Sequence, residues 1–186
     1  MLRQGDTVVL DACVLYPAPL RDLLLSLATA GLYRPRWTHT IQQEWMTSLL
    51  KHRPDIQPQA LAHTAALMNR AIPDSLVENF EHLVDTLPLP DLNDRHVLAA
   101  AITAKANAIV TFNIKDFTQA HIQVCHPDDF CVLLCQLDEA ISLSAIRQLR
   151  QRLKNPPRSA QQLLSTFERQ RLPRTSRLLA GKLELI

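Results

Sequence analysis

The chain has 186 residues, 47% of them apolar and 20% charged, which suits a soluble globular protein with one core of ordinary size. Its three glycines, Gly5, Gly31 and Gly181, lie far apart and exclude a glycine-rich loop of the kind that closes backbone amides around a phosphate or dinucleotide. Apolar stretches such as Val97–Ile102 and Val132–Leu134 are far too short to cross a bilayer, and the N-terminus lacks a basic-then-apolar leader, so a cytoplasmic protein without membrane contact is expected. Cys13, Cys125, Cys131 and Cys135 form neither a CxxC pair nor a disulfide framework, and reduced thiols fit them best. The net charge of +2 hides a split: residues 1–138 carry 10 basic and 15 acidic side chains, residues 139–186 carry 10 and 3. A basic segment joined to an acidic body is consistent with a surface for a phosphate backbone, and equally with one for an acidic protein partner or a solvated helical face.

Taken in chain order, Thr7–Leu10 is a short apolar run rich in valine that predicts a buried strand delivering Asp11 at its carboxyl end. Tyr16-Pro17-Ala18-Pro19 breaks the chain, and Leu20, Leu23, Leu24 and Leu27 then recur at helical spacing up to Gly31, a C-terminal stop. Leu32–Trp37 reads as a second strand. Thr38 and Thr40 are both candidate caps for a helix striped by Ile41, Trp45 and Leu49, with Glu44 at the edge of the stripe. Pro58 opens a further helix through Leu61, Ala65 and Met68 that ends before Pro73, and a shorter helical piece is expected to follow to about Phe80. Pro88 and Pro90 punctuate the chain again. Asp91-Leu92-Asn93-Asp94 offers capping groups to a helix bearing Val97, Leu98, Ala101 and Ile102, and Ala108–Thr111 follows as another buried strand.

A weaker strand is expected at Ile122–Val124, before a helix from about Pro127 to Leu137. Beyond it Leu143, Ile146, Leu149 and Leu153 repeat helically among arginines, Asn155-Pro156-Pro157 interrupts, and Leu163, Leu164 and Phe167 mark one more helix. The alternation predicts an α/β fold with a central, mainly parallel sheet flanked by helices over residues 1–138 and a basic helical extension over 139–186. Sites in such folds form beyond the carboxyl ends of strands, where Asp11 and the segment Thr111–Phe117 would emerge.

Four acids fall at strand ends and helix starts: Asp11, Glu44, Asp94 and Asp116. Singly, each has an ordinary structural role open to it as a turn former, a cap or a solvated helix-edge residue. Gathered, they would repel one another unless a cation lay between them, and hard cations such as Mg²⁺ or Mn²⁺ prefer oxygen ligands. Such an ion supports phosphodiester hydrolysis without a side-chain nucleophile. Cys131 and Cys135, one helical turn apart with Cys125-His126 nearby, are read as buried free thiols in preference to a soft-metal site. No histidine, including His96, has a matched partner at ligand spacing, and none is assigned a catalytic role.

The strand with Asp11-Ala12-Cys13-Val14-Leu15, the helical Glu44, the run Asp91-Leu92-Asn93-Asp94-Arg95-His96-Val97-Leu98-Ala99-Ala100-Ala101 and Val110-Thr111-Phe112-Asn113-Ile114-Lys115-Asp116-Phe117 together resemble the PIN-domain nucleases, over about residues 6–130. Many small bacterial members are VapC-like toxins, and the resemblance implies a PIN-like fold and a Mg²⁺- or Mn²⁺-dependent endoribonuclease held inactive by a cognate antitoxin, often a DNA-binding protein. It also implies carboxylate ligands or water-activating groups at Asp11, Glu44, Asp94 and Asp116, polar supports at Thr111 and Asn113, and a capping or supporting role for Asp91 as the rival of Asp94. Dimerisation is common in the family. At Cys13 the pattern departs from the Asn or other polar residue common in relatives, and a thiol orients a neighbouring carboxylate less well than an amide. Arg147, Arg150, Arg152, Lys154 and Arg158 are candidate contacts to RNA or to an acidic antitoxin. Two other readings stand beside this one. The first is a phosphoaspartyl enzyme, which would want an acid where Cys13 stands. The second is a catalytically degenerate PIN-like scaffold or RNA-binding protein working through its basic extension.

Overall fold

The computed structural model describes residues 2–89 and 91–186; Met1 and Pro90, the latter one of the prolines read as punctuation, lie outside the described residues. Four strands, β1 (Thr7–Leu10), β2 (Arg34–Arg36), β3 (Ala108–Val110) and β4 (Gln123–Cys125), form one sheet in the order β2-β1-β3-β4. All three pairings are parallel, with Leu10 opposite Val110 and Val110 opposite Cys125. From β1 the chain adds β2 on one side and later β3 on the other. The connections therefore diverge between β1 and β3, and a crevice opens beyond their carboxyl ends. Val8, Val9, Leu10, Ala108, Ile109 and Val110 are fully buried, which is why these strands read as continuous apolar runs.

Helices cover the sheet. After the single turn α1 (Ala12–Leu15), α2 (Ala18–Thr29) sets Leu20, Leu23, Leu24 and Leu27 in the core. Gly31 then takes a left-handed φ of 85°, which lets the chain reverse into β2. Thr38 caps α3 (His39–His52) by accepting the Ile41 N–H at 3.0 Å, so of the two candidate caps the first is used. α4 (Pro58–Ala71) starts on its proline as expected. The helical piece expected up to Phe80 does not form. Trp37 forms a parallel bridge with Leu76 instead, donating its N–H to Ser75 O at 3.0 Å and accepting that of Val77 at 2.8 Å. Pro73 removes a donor, and Asp74 and Asn79 adopt φ of 61° and 60°, which breaks helical continuity on both sides of that bridge. The helical turn comes later, as α5 (Glu81–Val84) against α6 (Arg95–Thr103).

The C-terminal segment is α7 (Pro127–Leu137), α8 (Glu139–Arg152), α9 (Ala160–Arg169) and α10 (Pro173–Ala180), one helix more than the periodicity predicted. The short turn between α9 and α10, with Arg171 at φ 64° and Leu172 buried, hides the second helix inside what reads as a polar tail. These helices fold onto the body. α8 lies on α2, α10 on α7, and Ile146, Leu149, Leu163, Leu164, Phe167 and Leu179 share one core with the strand residues. Cys131 and Cys135 are buried in that core, and desolvation raises both thiols, Cys135 to about 11. No helix among the described residues is long and apolar enough to cross a membrane.

Asp128 fastens α10 to α7. Its carboxylate is 3% exposed and accepts the Arg174 N–H at 2.9 Å, the Thr175 N–H at 2.8 Å and the Thr175 hydroxyl at 2.7 Å, so a side chain of one helix caps the start of the other. Asp128→Ala should lower unfolding stability by about 2–3 kcal/mol, measured by urea denaturation, because two amide donors at the head of α10 lose their acceptor.

Candidate active site

Because Leu10 and Val110 are register partners, Asp11 and Thr111 leave β1 and β3 side by side. The Asp11 N–H donates to Val110 O at 3.1 Å, and the side chain is 5% exposed. Asp11 stands at the N-cap of α1, yet its carboxylate accepts no capping N–H. It accepts instead the Thr111 hydroxyl at 2.6 Å on Oδ2, and Thr111 Oγ1 takes the Asn113 N–H at 2.9 Å. The Asn113 side chain is exposed, so that residue supports the site through its backbone. Cys13 Sγ donates to the same Asp11 Oδ2 at 3.1 Å and accepts the Phe112 N–H at 3.3 Å. Burial first, and the Asp11 charge second, push this thiol up to about 12, which keeps it a protonated donor. The thiol that departs from the family pattern thus still reaches the carboxylate an amide would be expected to hold.

Asp94 precedes α6 and, although it occupies the N-cap, makes no side-chain capping bond. Asp91 does cap, accepting the Asn93 N–H at 2.9 Å at the start of the 3₁₀ turn Leu92–Asp94. Asp116 lies on the 3₁₀ turn Ile114–Phe117 beyond β3. The charges on these segments bear on Asp94. Desolvation raises its carboxyl to about 6, helped by the charges of Asp11, Asp91 and Asp116 and opposed by His96. Glu44 is held differently: its Oε1 lies 2.9 Å from His96 Nε2. His96, read from the sequence as partnerless, therefore has a partner supplied by α3. Its position two residues after Asp94, on the first turn of the following helix, was the available signal. His96 Nδ1 is buried without a hydrogen-bond partner among the described residues.

A cleft of about 510 Å³ adjoins the acids, lined by Ala12, Cys13, Tyr16, Glu44, Trp45, Ser48 and His52. The basic side chains expected to make contacts lie on α8 and the loop after it. Arg152 donates to Ser26 Oγ of α2 at 2.7 Å and Arg150 to Arg158 O at 3.2 Å, while Arg147 and Lys154 are exposed. One further cation, not singled out from the sequence, lies against the residue that follows Thr111. Arg171, in the turn between α9 and α10, places its guanidinium carbon 4.6 Å from the centre of the Phe112 ring. Nothing in the linear spacing of Arg171 marks it out from the other arginines of the extension.

Among the described residues no three His, Cys, Asp or Glu side chains are already drawn together at ion-ligating spacing. The donor chemistry fits a hard divalent cation nonetheless. It consists of carboxylate oxygens on several segments, with Asp11 oriented by neutral donors and Asp94 raised by burial and, after it, by the neighbouring acid charges.

Residues 7–115 match the model of the PIN domain, well over half of the chain. The chain belongs to the PIN-domain family. The match takes in Asp11, Glu44, Asp91, Asp94, Thr111 and Asn113 and stops one residue short of Asp116. Residues 127–181 match a second model, the VapC50 C-terminal domain, which covers α7 to α10. Among curated proteins, "Putative ribonuclease VapC50" of Mycobacterium tuberculosis (strain ATCC 25618 / H37Rv) is 39% identical over 84 residues, covering 41% of this chain and 48% of that protein. The chain thus spans about half the length of the relative it matches. No solved structure matches the chain. The parallel sheet with its flanking helices is the fold in which the PIN match lies, and the C-terminal helices α7 to α10 carry the second match.

Because the Asp94 carboxyl is raised to about 6, the ionised form is disfavoured by the fold, and the stability associated with the protonated form is lost as pH rises through 6. Asp94→Asn should therefore raise the melting temperature of the metal-free protein in EDTA at pH 7.5 by a few degrees, with the gain shrinking towards zero near pH 4.

Proposed function

We propose that this PIN-domain protein is a metal-dependent endoribonuclease that hydrolyses RNA phosphodiester bonds with Mg²⁺ or Mn²⁺, and that it is the toxin of a toxin–antitoxin pair. The observation that carries the reading is the placement of Asp11 and Thr111 side by side at the carboxyl ends of β1 and β3, with a half-buried Asp94 whose carboxyl is raised by burial and by the charges of Asp11, Asp91 and Asp116, inside the segment that matches the PIN domain. The name of the relative supports RNA as the substrate. A bound divalent ion would supply Lewis acidity towards a phosphate oxygen and lower the pKa of a water.

The ligand carboxylates are Asp11, Glu44, Asp94 and Asp116. Thr111 and Cys13 both donate to Asp11 Oδ2, and a bound ion would draw on the carboxylate they orient. His96 steadies Glu44 from the neighbouring helix. Asp94 must lose its proton before it can ligate. Asp91, occupied in capping, supports the turn that presents Asp94. Residues 1–138 form the nuclease body and 139–186 the helical extension. Arg147 and Lys154, exposed on that extension, are contacts for an acidic antitoxin. Arg152 braces the extension against α2 through Ser26, and Arg150 ties α8 to the following loop through the Arg158 carbonyl.

The test is cleavage of single-stranded or structured RNA by the purified chain. Mg²⁺ or Mn²⁺ should be required, EDTA should stop cutting, and Asp11→Asn should reduce it by a factor of about 10² or more, as expected when a group engaged in transition-state stabilisation is removed. Undiminished cutting by Asp11→Asn sinks the assignment. Binding of Mg²⁺, followed by calorimetry, should also weaken as pH falls through about 6, where Asp94 takes up its proton.

A further inference from the structure

An acid-rich site must draw in a polyanion, and the acids themselves oppose it. The C-terminal helices seat one cation on the ring of Phe112, the residue after Thr111. Arg171 follows α9 in a left-handed turn, φ 64°, stabilised by donation of its N–H to Glu168 O at 2.9 Å. Its guanidinium lies over the Phe112 ring at 4.6 Å, and the His126 ring meets the same phenyl edge-on at 5.2 Å. Phe112 is joined to the acids on both sides. It follows Thr111, whose hydroxyl donates to Asp11, and its own N–H donates to Cys13 Sγ.

The neighbouring carboxylates have other partners. Asp128 accepts from Arg174 and Thr175, Asp129 pairs with the Arg174 guanidinium, and Glu168 Oε1 accepts the Ser176 hydroxyl at 3.3 Å. Among the described residues the Arg171 guanidinium donates no hydrogen bond, and the residue is exposed. An aromatic face holds a guanidinium in place without neutralising its charge or using its donors. Those donors remain available for phosphate oxygens.

The geometry points to Arg171 as a substrate-positioning residue that grips an RNA backbone phosphate flanking the one presented to the acids. The assignment rests on the ribonuclease reading and gives the C-terminal helices a share in the active site. Through the Asp128 clamp at the head of α10, the extension holds a phosphate contact in register with Asp11. Binding at Arg171 is to backbone and carries no sequence preference of its own.

The experiment uses the full chain, with steady-state cleavage of a single-stranded RNA at several salt concentrations. Arg171→Ala should raise KM by about 5- to 20-fold with kcat within about twofold, and the slope of log KM against log salt should fall by about 0.7, as for the loss of one single-strand phosphate contact. Arg171→Lys, which keeps the charge, should recover part of the KM. Arg177→Ala, which removes an exposed charge from α10, should leave both parameters unchanged. Calorimetric Mg²⁺ affinity and melting temperature should match the wild type in all three variants. If the wild-type chain cuts RNA but Arg171→Ala shows an unaltered KM and salt slope, the assignment of Arg171 fails alone. It fails also if Arg171→Lys is as poor as Arg171→Ala, if Arg177→Ala loses as much, or if Mg²⁺ binding drops with the KM. A wild-type chain that neither binds nor cuts RNA overturns the ribonuclease reading and this assignment with it.

Discussion

Acids presented from several segments at the end of a parallel sheet disfavour one another's charge, and the arrangement around this crevice follows from how that cost is contained. The half-buried Asp94 carboxyl is raised to about 6, by desolvation first and by the charges of Asp11, Asp91 and Asp116 after it. A site filled with fixed lysines or arginines would relieve the strain but would leave no place for a divalent ion. The chain instead surrounds the acids with neutral hydrogen-bond donors. The Thr111 hydroxyl and the Cys13 thiol both point at one oxygen of Asp11, and the thiol can serve because burial and Asp11 together keep it protonated. These donors orient a carboxylate without cancelling its charge.

The same economy governs the extension. Ten basic side chains in residues 139–186 suggest a diffuse positive surface, yet several are consumed internally. Arg174 pairs with Asp129, Lys182 with Glu139, and Arg152 reaches Ser26 across the interface with α2. The largest share of the attachment is apolar, since Ile146, Leu149, Phe167 and Leu179 close the same core as the strands. Polar contacts then set the register of helices that hydrophobic burial alone would leave free to slide. Asp128 is the clearest case, a buried carboxylate whose three donors all come from the start of α10.

Much of this was legible before any fold was known, and the limits have physical causes. Strands β1 and β3 were readable because burial on both faces demands unbroken apolar runs, and Asp11 was readable because it terminates one of them. Helix starts at Thr38, Pro58 and Pro127 were visible in their capping chemistry. The bridge of Trp37 with Leu76 was not, since pairing between segments nearly forty residues apart leaves no periodic trace in either. Nor was the Glu44 contact to His96, where two helices supply one residue each. α10 was lost because its apolar face amounts to little more than Leu172 and Leu179, set among arginines. Arg171 went with it, for a residue whose role comes from a turn and a distant ring has no sequence signature of its own.

Where a cation is placed relative to such a cluster decides what it can do. An arginine in direct contact with Asp11 or Asp94 would form a charge-assisted pair and compete with a divalent ion for the same oxygens. Arg171 avoids this by resting on a phenyl ring one residue beyond Thr111, where the quadrupole of the ring supplies the attraction that a carboxylate would otherwise provide. The charge is therefore held over the ring of the residue that follows Thr111, without an ion pair to a carboxylate. Phe112 can do this because β3 ends at Val110: Thr111 turns inward to Asp11, and the next side chain is left half-buried at the rim, exposed enough to be covered from the C-terminal side. Sheet, acid cluster and extension thus meet through two consecutive residues of one strand end, with the hydroxyl serving the carboxylate and the ring serving the cation.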